Sequence, residues 1–407
     1  MFQNRYLIPL LLLGGTAGLA LNSALEAGPA APQGGPQPDV IVGDIYDFIS
    51  HGKVGDKSAY SFGSTSCNIG QVPLDWFAST PNHPVIATNL YRLSGDGAFE
   101  QIGVNWVKHT FATLNGSLCG TCQPTSGTTL GVGCSDPYSA FLNGFQSDLG
   151  PRSEINAYNG VFPYPPLLSG PGFGTLPGRV QVFNDDLDPS LNPGARYFVE
   201  IHYVTPVDNF MLGNGSNNVS VREVSFSGGS APFSPNFVGQ TVRETYAIEQ
   251  WQSIDPTVTI EAFNSPNDGE MYVASRVAQN PGGGWDYDYT LYNRDSDRGA
   301  RAFAVPVSSG VSLTDKAFND VFYHSGEPQS GLDWFDYDGL YPGTSQRVMA
   351  WVGGGFGGSP NNNAVRWSSS YSFHFNADTP PTNGQVAVFY FKPGGPALQF
   401  VDTQIPQ

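Results

Sequence analysis

The chain has 407 residues with 50 Gly and 33 Pro, and charged and aromatic side chains each make up 13%, which argues against a helical protein and describes short strands joined by tight turns. A formal charge of −17, from 18 Lys and Arg against 35 Asp and Glu, argues against nucleic acid and anionic membrane surfaces as partners and leaves cations and neutral polymers open. The length exceeds one ordinary core and predicts two domains of roughly 150 to 200 residues each.

Taken in order, residues 1–27 read as an export signal: Arg5 supplies the positive start, 6–21 (YLIPLLLLGGTAGLAL) the apolar run, and Ala20, Ala24 and Ala27 the small residues near a cleavage point. The run is shorter than the ~20 residues that span a bilayer, so no membrane span is expected after cleavage. Residues 28–38 (GPAAPQGGPQP) form a Pro/Gly spacer with nothing to pack, expected to be disordered. A secreted or cell-surface location follows, and it suits the four cysteines Cys67, Cys119, Cys122 and Cys134. They predict two disulfides, with three pairings open. A redox role for Cys119-Gly-Thr-Cys122 would need a helix amino terminus, and a zinc site would need a second such pair, so structural crosslinks are preferred. They would close the Gly/Thr/Ser-rich loop within the 99–143 stretch, whose composition buries too little to order itself.

The first domain is expected over 39–227. It opens on an alternating strand at 39–48 and contains Asp96-Gly97 between two alternating runs, a strong hairpin signal. The 143–177 segment is too rich in Pro and Gly for helix, and a loop that long usually carries function or wraps a surface. A linker is expected at 228–238, a second domain at 239–396, including a strand over 241–251 (TVRETYAIEQW), and a tail at 397–407. No fixed internal period appears and no 3.6-residue periodicity is sustained. The expected fold is all-β: two antiparallel β-sandwich domains in tandem, jelly-roll or Ig-like.

The motifs FEQIGVNWVKH, LGVGCSDPYSAFLNG, LGPRSEIN and FPYP in the first part, then YNRDSDRGARAFAVPV, FYHSGEP, FHFNADTPPTNG and FYFKPG, resemble a family of secreted bacterial proteins over about residues 39–395. Members often carry a carboxy-terminal anchoring or dockerin-like module. The resemblance implies export and a β-rich build and brings no activity with it. The sequence stops at Gln407 without such a module, so surface attachment by that route is not expected.

Chemistry is harder to place. ARYFVEIHYVTP, with His202, resembles the strand that carries a ligand in ascorbate-dependent copper monooxygenases, but the chain has no His-His or His-x-His, so copper is not expected. An enzyme reading would place a metal or acid/base site in the first domain around His109, Asp136 and Glu100, with His51, His83 and His202 as further ligands across loops. Against it, His109 shares one strand face with Val107 and Phe111 and reads more simply as a core histidine. Asn293, Asp295 and Asp297 repeat oxygen ligands at every second position as calcium loops do, although the spacing of an EF-hand's Gly and Glu is missing and a hairpin turn explains the same residues. Trp285, Tyr287, Trp334 and Tyr337 lie near polar turns and are the expected rings for stacking on a sugar; filling a sandwich is the simpler alternative. The expected function is therefore a secreted, non-catalytic binding or cell-surface protein that recognises a neutral polysaccharide or cell-envelope component, steadied by calcium.

Overall fold

The computed structural model describes residues 35–407; the expected export signal and most of the spacer lie outside the described residues. The chain is mostly antiparallel strands, stacked as four layers. The first sheet joins Val40–Val54, Lys57–Asn68 and Val180–Phe183, with Ser135–Tyr138 paired to Lys57–Asn68. The second runs Ser234–Val242, Val219–Ser227, Arg196–Val204, Val85–Leu93, Val107–His109 and Leu149–Gly150, and Phe99–Val104 also pairs with Val85–Leu93. The third runs Thr259–Asn264, Glu270–Gln279, Trp285–Asn293, Ser369–Ala377 and Leu313–Asn319. The fourth runs Phe335–Leu340, Arg347–Val352, Ala300–Val307, Pro381–Tyr390 and Leu398–Pro406.

Alternation along each strand decides what lies between the layers. In Arg196–Val204, Tyr197, Val199, Ile201 and Tyr203 point at the first sheet and join Ile45, Tyr60, Phe62 and Val182 in one core. Phe198, on the opposite face, packs with Tyr91, Phe99, Trp251 and Tyr292. The second sheet is thus covered on both sides, and Val85–Leu93 is buried along almost its whole length. The largest core lies between the third and fourth sheets, around Tyr289, Phe303, Trp351 and Phe373.

The contact between the second and third sheets is paved with small polar residues and tyrosines. Ser372 Oγ and Thr290 Oγ1 both donate to the Phe99 carbonyl, at 2.6 and 3.1 Å. Glu200, fully buried, accepts from Asn89 Nδ2 (2.8 Å), the Tyr91 and Tyr292 hydroxyls (3.0 and 3.2 Å) and the Ala247 amide (2.8 Å). A carboxyl in such a place needs this many donors to offset its desolvation.

Three expectations need correcting. Residues 234–238, read as part of a linker, belong to the edge strand Ser234–Val242, and 398–406, read as tail, form the edge strand Leu398–Pro406. In the latter, Val401 and Ile405 turn inward on alternate positions, which ties the strand to the core. The strand expected at 241–251 ends at Val242, and Ala247–Ile254 is a helix. Ala247, Ile248 and Trp251 share its buried face, and the Glu249 carboxylate accepts the Tyr246 amide at 2.8 Å, capping its start.

The pairing the sequence left open is Cys67 with Cys119 and Cys122 with Cys134. The first bridge ties the loop to the end of the Lys57–Asn68 strand; the second closes it on itself.

Candidate functional site

His109, Asp136 and Glu100 stand in three separate settings, and no hydrogen bond or ion pair joins any two of them. His109 Nδ1 lies 3.0 Å from His83 Nε2, and both rings are framed by Phe162 and Tyr164 with centroids 5.1 to 5.4 Å away. Burial pushes His109 down to about 3, aided by His83 and Lys108, and His83 down to about 4, so both are neutral imidazoles joined by one N–H···N hydrogen bond. Gly150 lies against this pair: a Cβ there would run into Nε2 of His109. Beside them, the fully buried Lys108 pairs with Asp148. The other histidines stand apart, with His51 on Ser61 (2.8 Å) and His202 against Trp367 (centroids 5.8 Å apart).

Glu100 pairs with Arg92 at 2.6 Å and lines a cleft of about 50 Å³ between the second and third sheets, with Trp251, Phe318 and His374. That volume takes a few waters. His374 Nδ1 meets Asp288 at 2.8 Å. Burial opposes the imidazolium, but the hydrogen bond and charge of Asp288 prevail and raise its pKa.

Asp136 is buried beneath the crosslinked loop. One oxygen accepts the Leu114 amide at 2.7 Å, the other has no partner, and burial pushes the carboxyl up to about 7. Because the folded-state pKa lies above the unfolded one, this group's contribution is fully present below about pH 4 and is lost as pH rises through about 7. Asp136→Asn keeps an acceptor for Leu114 and removes the charge. It is expected to stabilise the protein by roughly 1–3 kcal/mol at pH 8 and to change little at pH 4. Urea unfolding of both forms at the two pH values checks this; an equal effect at both would refute it.

The three oxygen-bearing residues read as a calcium loop do not converge. Asn293 holds the turn through the Ser296 amide and carbonyl (2.8 and 2.9 Å). Asp295 is engaged by Arg294 (2.9 Å) and the Glu270 amide (2.8 Å), and Asp297 by Lys392 at 2.7 Å. The turn's centre is instead Asp268, which accepts from Ser296 Oγ and from the Asp297 and Arg298 amides.

Among the rings expected to meet a ligand, Tyr287 and Trp334 lie inside the third and fourth sheets' core, stacked on Phe375 (5.1 Å) and Phe318 (5.6 Å), and Trp285 packs against the same core. Tyr337 is half-buried and donates to the Leu340 carbonyl at 2.8 Å. These positions leave Tyr287 and Trp334 no face to offer a sugar: alternation along Trp285–Asn293 aims Tyr287 inward, and Trp334, just ahead of Phe335–Leu340, is held in the core with its indole N–H donating to the Asn363 carbonyl at 3.0 Å.

Other rings do face solvent: Phe77, Phe111, Phe322, Phe335 and Phe400 at separate points of the chain, and three more on one segment. Phe141, Phe145 and Phe173 are 59%, 42% and 81% exposed, and Leu167 is 81% exposed. All sit on the segment 139–178, which takes in the loop-rich stretch 143–177 and, just before it, the short helix Ala140–Asn143 that carries Phe141. It is braced at many points. Glu154 accepts the Leu167 and Leu168 amides at 2.8 and 2.6 Å, and Gln146 Nε2 donates to the Gly174 and Pro177 carbonyls at 3.0 and 2.7 Å. Arg179 donates to the carbonyls of Gly144, Gly174 and Thr175. Phe141 and Phe145 lie 5.7 Å apart, centroid to centroid. The segment holds four phenylalanines, of which Phe162 is buried and Phe141 lies on the short helix Ala140–Asn143, so sequence alone does not separate the exposed rings from the buried one.

No helix of the described residues is long and apolar enough to cross a membrane. The sequence matches no known protein family and no curated protein.

Proposed function

We propose that this chain is a non-catalytic extracellular binding protein whose contact surface is the braced segment 139–178, with Phe141, Phe145 and Phe173 stacking on a neutral polysaccharide. The observation that carries this reading is the exposure of those three rings on a segment held by side-chain hydrogen bonds. Ordering such a loop before contact lowers the entropy lost on binding. Exposed apolar rings in a patch mark an interaction surface, and their faces suit the CH-rich faces of sugars. The charge of −17 favours a neutral polymer over an acidic one. Two disulfides fit an oxidising, extracellular setting. The dispersal of His109, Asp136 and Glu100 supports binding over the acid/base alternative.

Affinity electrophoresis through gels containing neutral glucans, mannans or xylans tests the reading. The wild-type chain is expected to be retarded by at least one of them. Phe141→Ala/Phe145→Ala/Phe173→Ala should bind it about tenfold or more weakly, with an unchanged melting temperature because the rings are exposed. Free migration of the wild type through every polymer, or equal retardation of the triple variant, refutes it.

A further inference from the structure

We infer that Asp39, Asp208, Asn217 and Asn218 form a site for a hard divalent cation of the calcium class, which fastens the start of the first strand to the loop at 205–218. Asp39 immediately precedes Val40–Val54; Asp208 lies in the turn after Arg196–Val204; Asn217 and Asn218 end the loop just before Val219–Ser227. Existing hydrogen bonds gather the four into one place. The Val40 amide donates to Asp208 Oδ2, and Asn217 Nδ2 donates to Asp39 Oδ1 at 3.0 Å. Asn218 Nδ2 donates to the Asp208 carbonyl at 3.3 Å, and neighbouring Asn214 Nδ2 to the Pro38 carbonyl at 2.8 Å.

What these bonds leave over is a set of oxygens. Asp208 Oδ1, Asn217 Oδ1, Asn218 Oδ1 and Thr205 Oγ1 are all buried without a hydrogen-bond partner. Asp208 is 0% and Asn218 1% exposed, so bulk solvent does not reach these oxygens. Neither Asp39 nor Asp208 belongs to an ion pair among the described residues, and each lies within the other's field. A fully buried carboxylate beside a half-buried one, with no lysine or arginine, is costly unless protonated or met by a cation. The donors are carboxylate and amide oxygens, with no imidazole or thiolate, which suits calcium and disfavours zinc or copper. Gly215 permits the tight loop: a Cβ there would sit 2.6 Å from the Asn209 carbonyl carbon. The 169-residue separation of Asp39 from Asp208 hides this grouping from any reading of spacing.

The test uses the purified full chain stripped with EDTA. Titration calorimetry with calcium chloride at pH 7.5 is expected to give one ion per chain, and 1 mM calcium to raise the melting temperature by about 3–5 °C over EDTA. Asp208→Asn and Asp39→Asn should each abolish that shift, while Asp297→Asn, in the turn first read as a calcium loop, retains it. If the site is a protonated carboxylic acid instead, calcium has no effect on the wild type and Asp208→Asn is neutral or stabilising, which overturns the inference. A calcium shift that survives in both site variants also overturns it. Should Asp208→Asn fail to fold, the more exposed Asp39→Asn decides alone.

Discussion

Replacing Arg152 with methionine is expected to destabilise the protein by about 3–5 kcal/mol, read as a lowered urea midpoint at pH 7. The guanidinium is buried where the two halves of the chain meet. It donates through Nε to the Asn105 carbonyl (2.7 Å), through Nη2 to the Thr88 carbonyl and Asn105 Oδ1 (2.8 and 3.0 Å), and through Nη1 to the Ser368 carbonyl (3.3 Å). It also lies over the Trp367 ring, 5.6 Å from its centre, while the Trp367 indole donates to the Arg152 carbonyl at 3.1 Å. Burial holds its pKa down to about 10, so it stays charged at neutral pH. Methionine fills much of the volume but leaves those carbonyls without a donor. Lysine should not rescue, because one ammonium cannot span the fork of acceptors. A loss below about 1 kcal/mol would mean that water takes over these bonds.

Removing the Cys67–Cys119 bridge by Cys67→Ser/Cys119→Ser should cost about 4 kcal/mol, and removing Cys122–Cys134 by the corresponding double change about 3 kcal/mol. The order follows from loop length: the residues bridged are 52 and 12 positions apart. The longer bridge also anchors the loop to a buried strand end, since Cys67 is fully buried and its neighbour Asn68 donates to the Leu130 and Val72 carbonyls at 3.0 and 2.8 Å. Guanidinium unfolding of both double variants checks the ranking. Equal losses would indicate that strand anchoring and loop closure contribute differently from the chain-entropy account.

The sequence made the layered β build readable wherever a strand has one wet face or a turn has distinctive chemistry. Asp96-Gly97 does lie between paired strands, Val85–Leu93 and Phe99–Val104. It was less readable at the margins. Ser234–Val242 is an edge strand with mostly exposed side chains, so burial imposes no alternation on it, and Ala247–Ile254 spans only two turns, too few for a helical period to stand out. Candidate sites were less legible still. Asn293, Asp295 and Asp297 have the spacing of ligands, but a buried Arg294 and the Asp268 carboxylate claim that turn, and neither partner is visible from the motif. Tyr287 and Trp334 share their composition with surface rings; the pleat turns Tyr287 inward, and Trp334, outside any strand, is buried by distant partners the motif does not show. Residues brought together from positions 39 and 208 leave no local trace at all.

The doubly covered second sheet has a consequence for synthesis. Its seven strands are complete once residue 242 has emerged, yet the residues that shield Phe99, Phe198 and Tyr91, from Trp251 to Tyr292, follow later in the chain. At ordinary elongation rates that interval is roughly 3–10 s, during which a nascent chain displays a bare aromatic wall. Holding that wall apart from other growing chains falls to whatever chaperone or export machinery receives the polypeptide, and the interval sets how long it must hold.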